Sequence, residues 1–206
     1  MNFLAHAYLS FGHEEILVGN MISDFVKGKQ KATYSTGIHN GIILHRSIDE
    51  FTDNHPATKE AKKIFKHAVG RYSGAFADVV YDHFLANDTN EFINNEALKK
   101  FTTTIYYKLQ DHYPELPHRF QLILPSMQAN DWLFNYKYRW GIEKSFGGVV
   151  RRAVYLSDAG KAFQAFENEH QLLKEIYSSF FPDIKKYALN QLELLEKDNS
   201  QNTHWT

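Results

Sequence analysis

GIILHRSIDEFTDNHP, residues 41–56, carries three polar side chains, His45, Asp49 and Asp53, at successive four-residue intervals. In a helix that interval stacks them along one face, each a turn above the last, and Pro56 closes the run because the residue before a proline is driven out of helical backbone. The same period runs outward in both directions, through Leu17, Met21 and Phe25 on one side and Tyr72, Phe76, Val79, Val80 and Phe84 on the other. Strand-like alternation is scarce, so the fold expected is all-α, a helical bundle. Helices are expected over roughly 2–10, 14–27, 36–53, 57–68, 70–87, 94–111, 116–135, 139–150, 156–179 and 183–197. Gly28 and Gly70 suit helix ends, Pro114 and Pro117 a turn, and Pro182 a break between the last two helices.

The chain has 206 residues, enough to bury the core of one domain, expected over 1–197 with a flexible polar tail over 198–206. Sixteen phenylalanines and twelve tyrosines point to a core filled with rings. A formal net charge of -1 excludes a uniformly basic nucleic-acid binder. The absence of cysteine removes disulfides, thiolate metal sites and cysteine nucleophiles, and a cytoplasmic location is expected. No run approaches the ~18 apolar residues of a membrane span, and the N-terminus lacks the basic region of a signal peptide.

Chemistry is suggested by acidic and histidine side chains on otherwise apolar helix faces, where an unpaired charge costs several kcal/mol. His6 lies among Phe3, Leu4, Ala7 and Tyr8; alone it reads equally as a hydrogen-bonded core histidine. Asp24 shares a face with Asn20 at the end of a helix, where the macrodipole disfavours an anion and asks for a cation, either a metal or the lysines that follow. The His45–Asp49–Asp53 ladder has the spacing of shared metal ligands and also that of ordinary surface pairs. Asp82 and His83 are adjacent and point about 100° apart, with His83 toward the apolar face. Lys27, Lys29 and Lys31 form a basic loop just after Asp24, either a solvated connection or a contact for phosphate or an acidic partner, and Arg139, Lys144, Arg151 and Arg152 form a second basic group. No GxSxG elbow, Walker loop or HExxH motif is present.

MNFLAHAYLS at the start, GNMISDFVKG, GIILHRSIDEFTDNHP and VVYDHFLA, in that order, resemble the acyl carrier protein phosphodiesterase family; weaker similarity continues through NDWLFNYKYRWGIEKSFGGVVRR and IYSSFFPDIKKYA. The resemblance implies an all-helical fold distantly akin to the HD-type phosphohydrolases, although the dyad here is Asp82-His83 rather than His-Asp. It implies hydrolysis, supported by a divalent metal, of the phosphodiester linking 4′-phosphopantetheine to a serine of holo acyl carrier protein, with apo acyl carrier protein as product. The metal expected is Mn²⁺, with Mg²⁺ or Fe²⁺ as alternatives. On this reading Asp24, His45, Asp82 and His83 are the metal ligands. His6 or Asp49 orients water or protonates the leaving serine, Arg46 contacts phosphate, and Lys27, Lys29 and Lys31 meet the acidic carrier protein. Competing readings are a related phosphohydrolase of nucleotides or small phosphodiesters, a haem-binding bundle and a carrier-binding module without catalysis.

Overall fold

The structure, a computed structural model, describes residues 1–202, apart from the side chains of Lys29 and of residues 198–202. Residues 203–206, and with them part of the expected tail, lie outside the described residues. Among the described residues there is no strand, as the helical period predicts. The α-helices are α1 (Phe3–Tyr8), α2 (Glu14–Ile22), α3 (Thr36–Asn54), α4 (Pro56–Val69), α5 (Ser73–Ala86), α6 (Asn95–Asp111), α7 (His118–Ala129), α8 (Trp132–Asn135), α9 (Arg139–Arg152), α10 (Gly160–Asn168) and α11 (His170–Asn202).

Local chemistry sets most ends. Ser35 caps α3 by accepting from the Ile38 amide, and Asn94 caps α6 by accepting from the Ala97 amide at 2.9 Å. His55, in extended backbone before Pro56, ends α3 and accepts from the Ala57 amide, so one residue closes one helix and caps the next. Gly70 ends α4 at φ 56°, in the left-handed region where a Cβ is penalised.

Four expected boundaries differ. The helix expected over 14–27 stops at Ile22 and tightens into a 3₁₀ turn over Ser23–Phe25, so Asp24 sits on a turn; a second 3₁₀ stretch, Gly28–Thr33, carries the lysine loop. The helix expected over 116–135 breaks at Asp131, whose left-handed backbone an aspartate tolerates and whose carboxylate pairs with Lys99. The helix expected from 156 begins only at Gly160, and it turns at Glu169. Pro182, expected to separate two helices, instead lies inside α11. Proline deprives the Ser178 carbonyl of its partner, but Ser178 is exposed and water can serve it, while Tyr177, Phe180, Phe181 and Ile184 stay buried on the opposite face.

The core is ring-rich, as composition predicts. Phe65, Phe76, Phe146 and Phe166 interlock between α4, α5, α9 and α10, with Phe76 and Phe146 edge to face at 4.6 Å, and Tyr81 stacks on Phe180 of α11. The α2 and α3 backbones cross in close contact. A Cβ on Gly19 would stand 2.0 Å from the Ile38 carbonyl oxygen, and one on Gly41 would stand 2.3 Å from that of Ile16. Only glycine at both positions lets the backbones meet, and the next turn of each helix beyond that crossing carries the candidate site.

Candidate metal centre

Two short-range constraints hold His6 in place. The α1 N-terminus is anchored by the fully buried Asp82 of α5, whose two carboxylate oxygens accept from the amides of Leu4 at 2.7 Å and Ala5 at 3.2 Å, satisfying donors that a helix start leaves unpaired. The second constraint is the buried side chain of Asn20. Its amide nitrogen donates to the His6 carbonyl at 2.8 Å and to Ser10 Oγ at 3.1 Å, which turns its oxygen toward His6 Nδ1, 2.8 Å away. An acceptor there requires Nδ1 of His6 to carry the proton. His45 is fixed in the same sense, because its Nδ1 donates at 2.7 Å to the Asn20 carbonyl, one of the last carbonyls of α2 and free of a helical partner.

With both Nδ1 atoms committed, both Nε2 atoms face the same place. The two rings stack at 3.9 Å, 16° from parallel. His6 Nε2 lies 3.2 Å from Asp49 Oδ1; His45 Nε2 lies 3.1 Å from Asp49 Oδ2 and 3.3 Å from Asp24 Oδ1. Both nitrogens are buried, and neither makes a hydrogen bond among the described residues. In neutral imidazoles these are lone pairs pointed at carboxylate oxygens, an arrangement that a proton or a cation between them relieves. His6, His45 and Asp49 present one ligand atom each within 4.8 Å of one another, a set of nitrogen and oxygen donors without sulfur that suits Mn²⁺, Fe²⁺, Zn²⁺ or Mg²⁺. The hydrogen bonds to Asn20 are the outer contacts that orient metal-binding imidazoles.

Electrostatics separates the two histidines. Burial and then the stacked His45 lower His6 to about 4, so it is neutral at pH 7. Burial lowers His45 as well, but the carboxylates of Asp24 and Asp49 beside its Nε2 outweigh it and raise the group to about 9. Asp49 would be raised by burial, yet the Met1 amine 3.2 Å away, then His45 and His6, hold it far below the usual carboxylate range. Asp78 shares that amine at 3.2 Å. Burial pushes Asp82 up to about 7 against the amides of Leu4 and Ala5.

Of the residues singled out from sequence, His6, Asp24, His45 and Asp49 come together. Asp82 supports the cluster from behind through α1, its two oxygens being engaged by the backbone amides of Leu4 and Ala5. His83 points away from the cluster into a cavity on another side of α5, with Nδ1 donating to the Tyr136 carbonyl at 2.7 Å. Asp53 leaves the ladder to pair with Lys62 at 2.6 Å. Arg46 is exposed one residue past His45, and Lys27 and the half-buried Lys31 lie on the 3₁₀ loop after Asp24. In the second basic group Arg139 pairs with Glu167, Lys144 lies over the Trp140 ring, and Arg151 and Arg152 are exposed. Sequence reasoning placed Asn20 beside Asp24 but missed its hold on both histidines, and it missed Asp78. The glycines Gly19 and Gly41, unusual inside helical patterns, were the readable signal of a close crossing.

Comparison with known proteins adds an independent line. A family model described as acyl carrier protein phosphodiesterase matches residues 1–184. A Yersinia pestis protein named acyl carrier protein phosphodiesterase is 32% identical over 188 residues, covering 91% of this chain and 97% of that protein. Proteins of the same name from Photorhabdus laumondii and Enterobacter sp. (strain 638) are 29% and 30% identical, covering 93% of this chain and 96% and 99% of their own lengths. No solved structure matches the chain.

Proposed function

The chain belongs to the acyl carrier protein phosphodiesterase family, and from that membership and the convergence of two imidazoles on Asp49 we propose that it hydrolyses the phosphodiester joining 4′-phosphopantetheine to a serine of holo acyl carrier protein, releasing apo acyl carrier protein. The observation that carries the reading is the convergence of the two buried Nε2 atoms on Asp49. In the metal-free protein a proton on His45 Nε2 sits among these carboxylates, in the place a divalent cation would take.

His6, His45 and Asp49 would hold a divalent metal, Mn²⁺ first, with Asp24 completing the set from the rim. When bound, such an ion supplies a water activated near neutral pH and offsets charge on the phosphoryl oxygens. The chain's own residues supply the rest. Asn20 fixes both imidazoles in the tautomer that exposes Nε2. Asp24, largely exposed, is placed to accept a proton from the attacking water or to return one to the leaving serine oxygen. Arg46, on the exposed side of α3 next to His45, is positioned for a phosphate oxygen. Lys27 and Lys31, with Lys29 between them in sequence, offer cations to an acidic carrier, a contact that governs encounter and responds to salt.

Incubating the protein and Mn²⁺ with holo acyl carrier protein and following the carrier's intact mass tests the proposal. The expected result is loss of the phosphopantetheine mass, abolished by chelator and slowed at least about 100-fold by Asp49→Asn. A holo mass that persists with Mn²⁺, Mg²⁺ and Fe²⁺ while the protein is folded sinks the carrier assignment.

A further inference from the structure

α5 separates two environments. Asp82 faces α1 and the metal cluster, whereas His83, the next residue, lines a cavity of about 500 Å³ bounded by the end of α5, the start of α9 and the start of α11. That volume falls in the range of small-molecule sites, ~300–1,000 Å³. Asn87 builds one wall, its amide donating to both the His83 carbonyl at 2.8 Å and the Lys137 carbonyl at 3.0 Å, which ties the segment before α9 to α5.

The lining is cationic. Lys137, Arg139 and Lys174 meet there with His83 and His170, against Asp88 as the one carboxylate among the lining residues. Asp88 is already engaged, accepting from Tyr177 Oη at 3.1 Å and from the Asn90 amide at 2.9 Å. Arg139 is paired with Glu167 at 2.7 Å, Lys137 donates to Asn95, and Lys174 is exposed with no ion pair among the described residues. Two helix N-termini add partial positive charge: α9 begins at Arg139 with no side-chain cap, and α11 begins at His170. His83 supplies a second kind of evidence. It is 6% exposed and lines the cavity, its Nδ1 is used on Tyr136, and its Nε2 has no hydrogen-bond partner among the described residues. The aromatic rings of Phe84 and Tyr177 complete the wall.

We propose that this cavity is a binding site for an organic phosphate monoester, its phosphate held by Lys174, Arg139 and the two helix starts and its organic part lying against Tyr177 and Phe84. The space exceeds what a lone phosphate fills, and Lys137 and Lys174, which have no carboxylate partner among the described residues, ask for a group of more than one negative charge. The inference does not depend on the reaction proposed for the metal cluster, because it uses none of those residues.

The test uses the full-length chain with chelator, so that no metal-bound anion contributes, and follows histidine ring resonances by NMR during titration with ribose 5-phosphate, inorganic phosphate and ribose. Ribose 5-phosphate is expected to shift the His83 and His170 rings saturably while His6 and His45 stay still. Lys174→Gln and Arg139→Gln are each expected to weaken that binding about tenfold, equivalent to ~1.4 kcal/mol. Lys174→Gln, at an exposed and unpaired side chain, keeps the test independent of folding should Arg139→Gln disturb Glu167. Inorganic phosphate binding as tightly as the sugar phosphate would remove the organic part of the proposal. Ribose binding as tightly would remove phosphate recognition. Rings of His83 and His170 unmoved by all three probes, or moved less than those of His6 and His45, would overturn the site itself.

Discussion

At the scale of single residues, the two stacked histidines are chemically unequal, and the inequality has a measurable consequence. His6 is already neutral at pH 7, whereas His45, raised to about 9 by Asp24 and Asp49 over the opposing effect of burial, carries a proton on Nε2 when no metal is present. A cation at Nε2 must displace that proton. Calorimetry of Mn²⁺ binding at pH 7, repeated in buffers of different ionisation enthalpy, is therefore expected to show release of about one proton per ion, and affinity should climb about tenfold per pH unit up to pH ~9. Release of no proton would remove His45 from the ligand set. The sign is the same for stability: in metal-free protein the raised group contributes fully below its ordinary value of 6.5, and the contribution is lost as pH rises through about 9. His6, Asp24, His45 and Asp49 were legible because polar groups on an apolar helix face stand out in one dimension. What separates the role of Asp82 from that of His83 is not, since it depends on whether a carboxylate meets the start of another helix 77 or 78 residues away.

At the scale of elements, the site depends on how closely α2 approaches α3. Asn20 directly follows Gly19, and His45 stands one turn beyond Gly41, so any separation of the crossing pulls the Asn20 carbonyl away from His45 Nδ1. Gly41→Ala would place a methyl group 2.3 Å from a backbone carbonyl oxygen that cannot rotate aside. Overpacking of this kind costs typically ~1–3 kcal/mol, and backbone contact puts this case at the upper end. Thermal unfolding of Gly41→Ala beside Gly74→Ala, where the nearest atom is the end of the flexible Lys62 side chain at 3.3 Å, is expected to show a clear loss for the first and little for the second. Equal behaviour of the two would mean that the crossing is not tight. Existence and order of the helices were readable from the 3.6-residue period; the breaks at Asp131 and Glu169 and the continuity through Pro182 were not. Phe166 and Leu173, both buried, keep a helical seven-residue spacing across the turn at Glu169, so the pattern conceals the break. At Pro182 the burial of α11 on both sides outweighs one lost hydrogen bond.

At the scale of the whole molecule, the four residues proposed to surround the ion come from α1, the turn after α2, and α3, and Asp82 ties α1 to α5. A cation held there joins segments that are otherwise connected by packing and a few buried hydrogen bonds, and it does so only in the folded state. Mn²⁺ at about a hundred times its dissociation constant would add ~2.7 kcal/mol to stability by mass action. For a chain of 206 residues that corresponds to a rise in Tm of roughly 5–11 °C. Asp49→Asn should abolish the rise, because an amide oxygen is a poorer ligand and its nitrogen sets a donor against the cation. Lys174→Gln, in the cavity on the other side of α5, should leave it intact, since distant sites without shared partners act additively. Scanning calorimetry of the three proteins with and without Mn²⁺ separates the possibilities. A shift that survives Asp49→Asn places the ion elsewhere in the fold, and one lost in Lys174→Gln means that the two faces of α5 are energetically coupled.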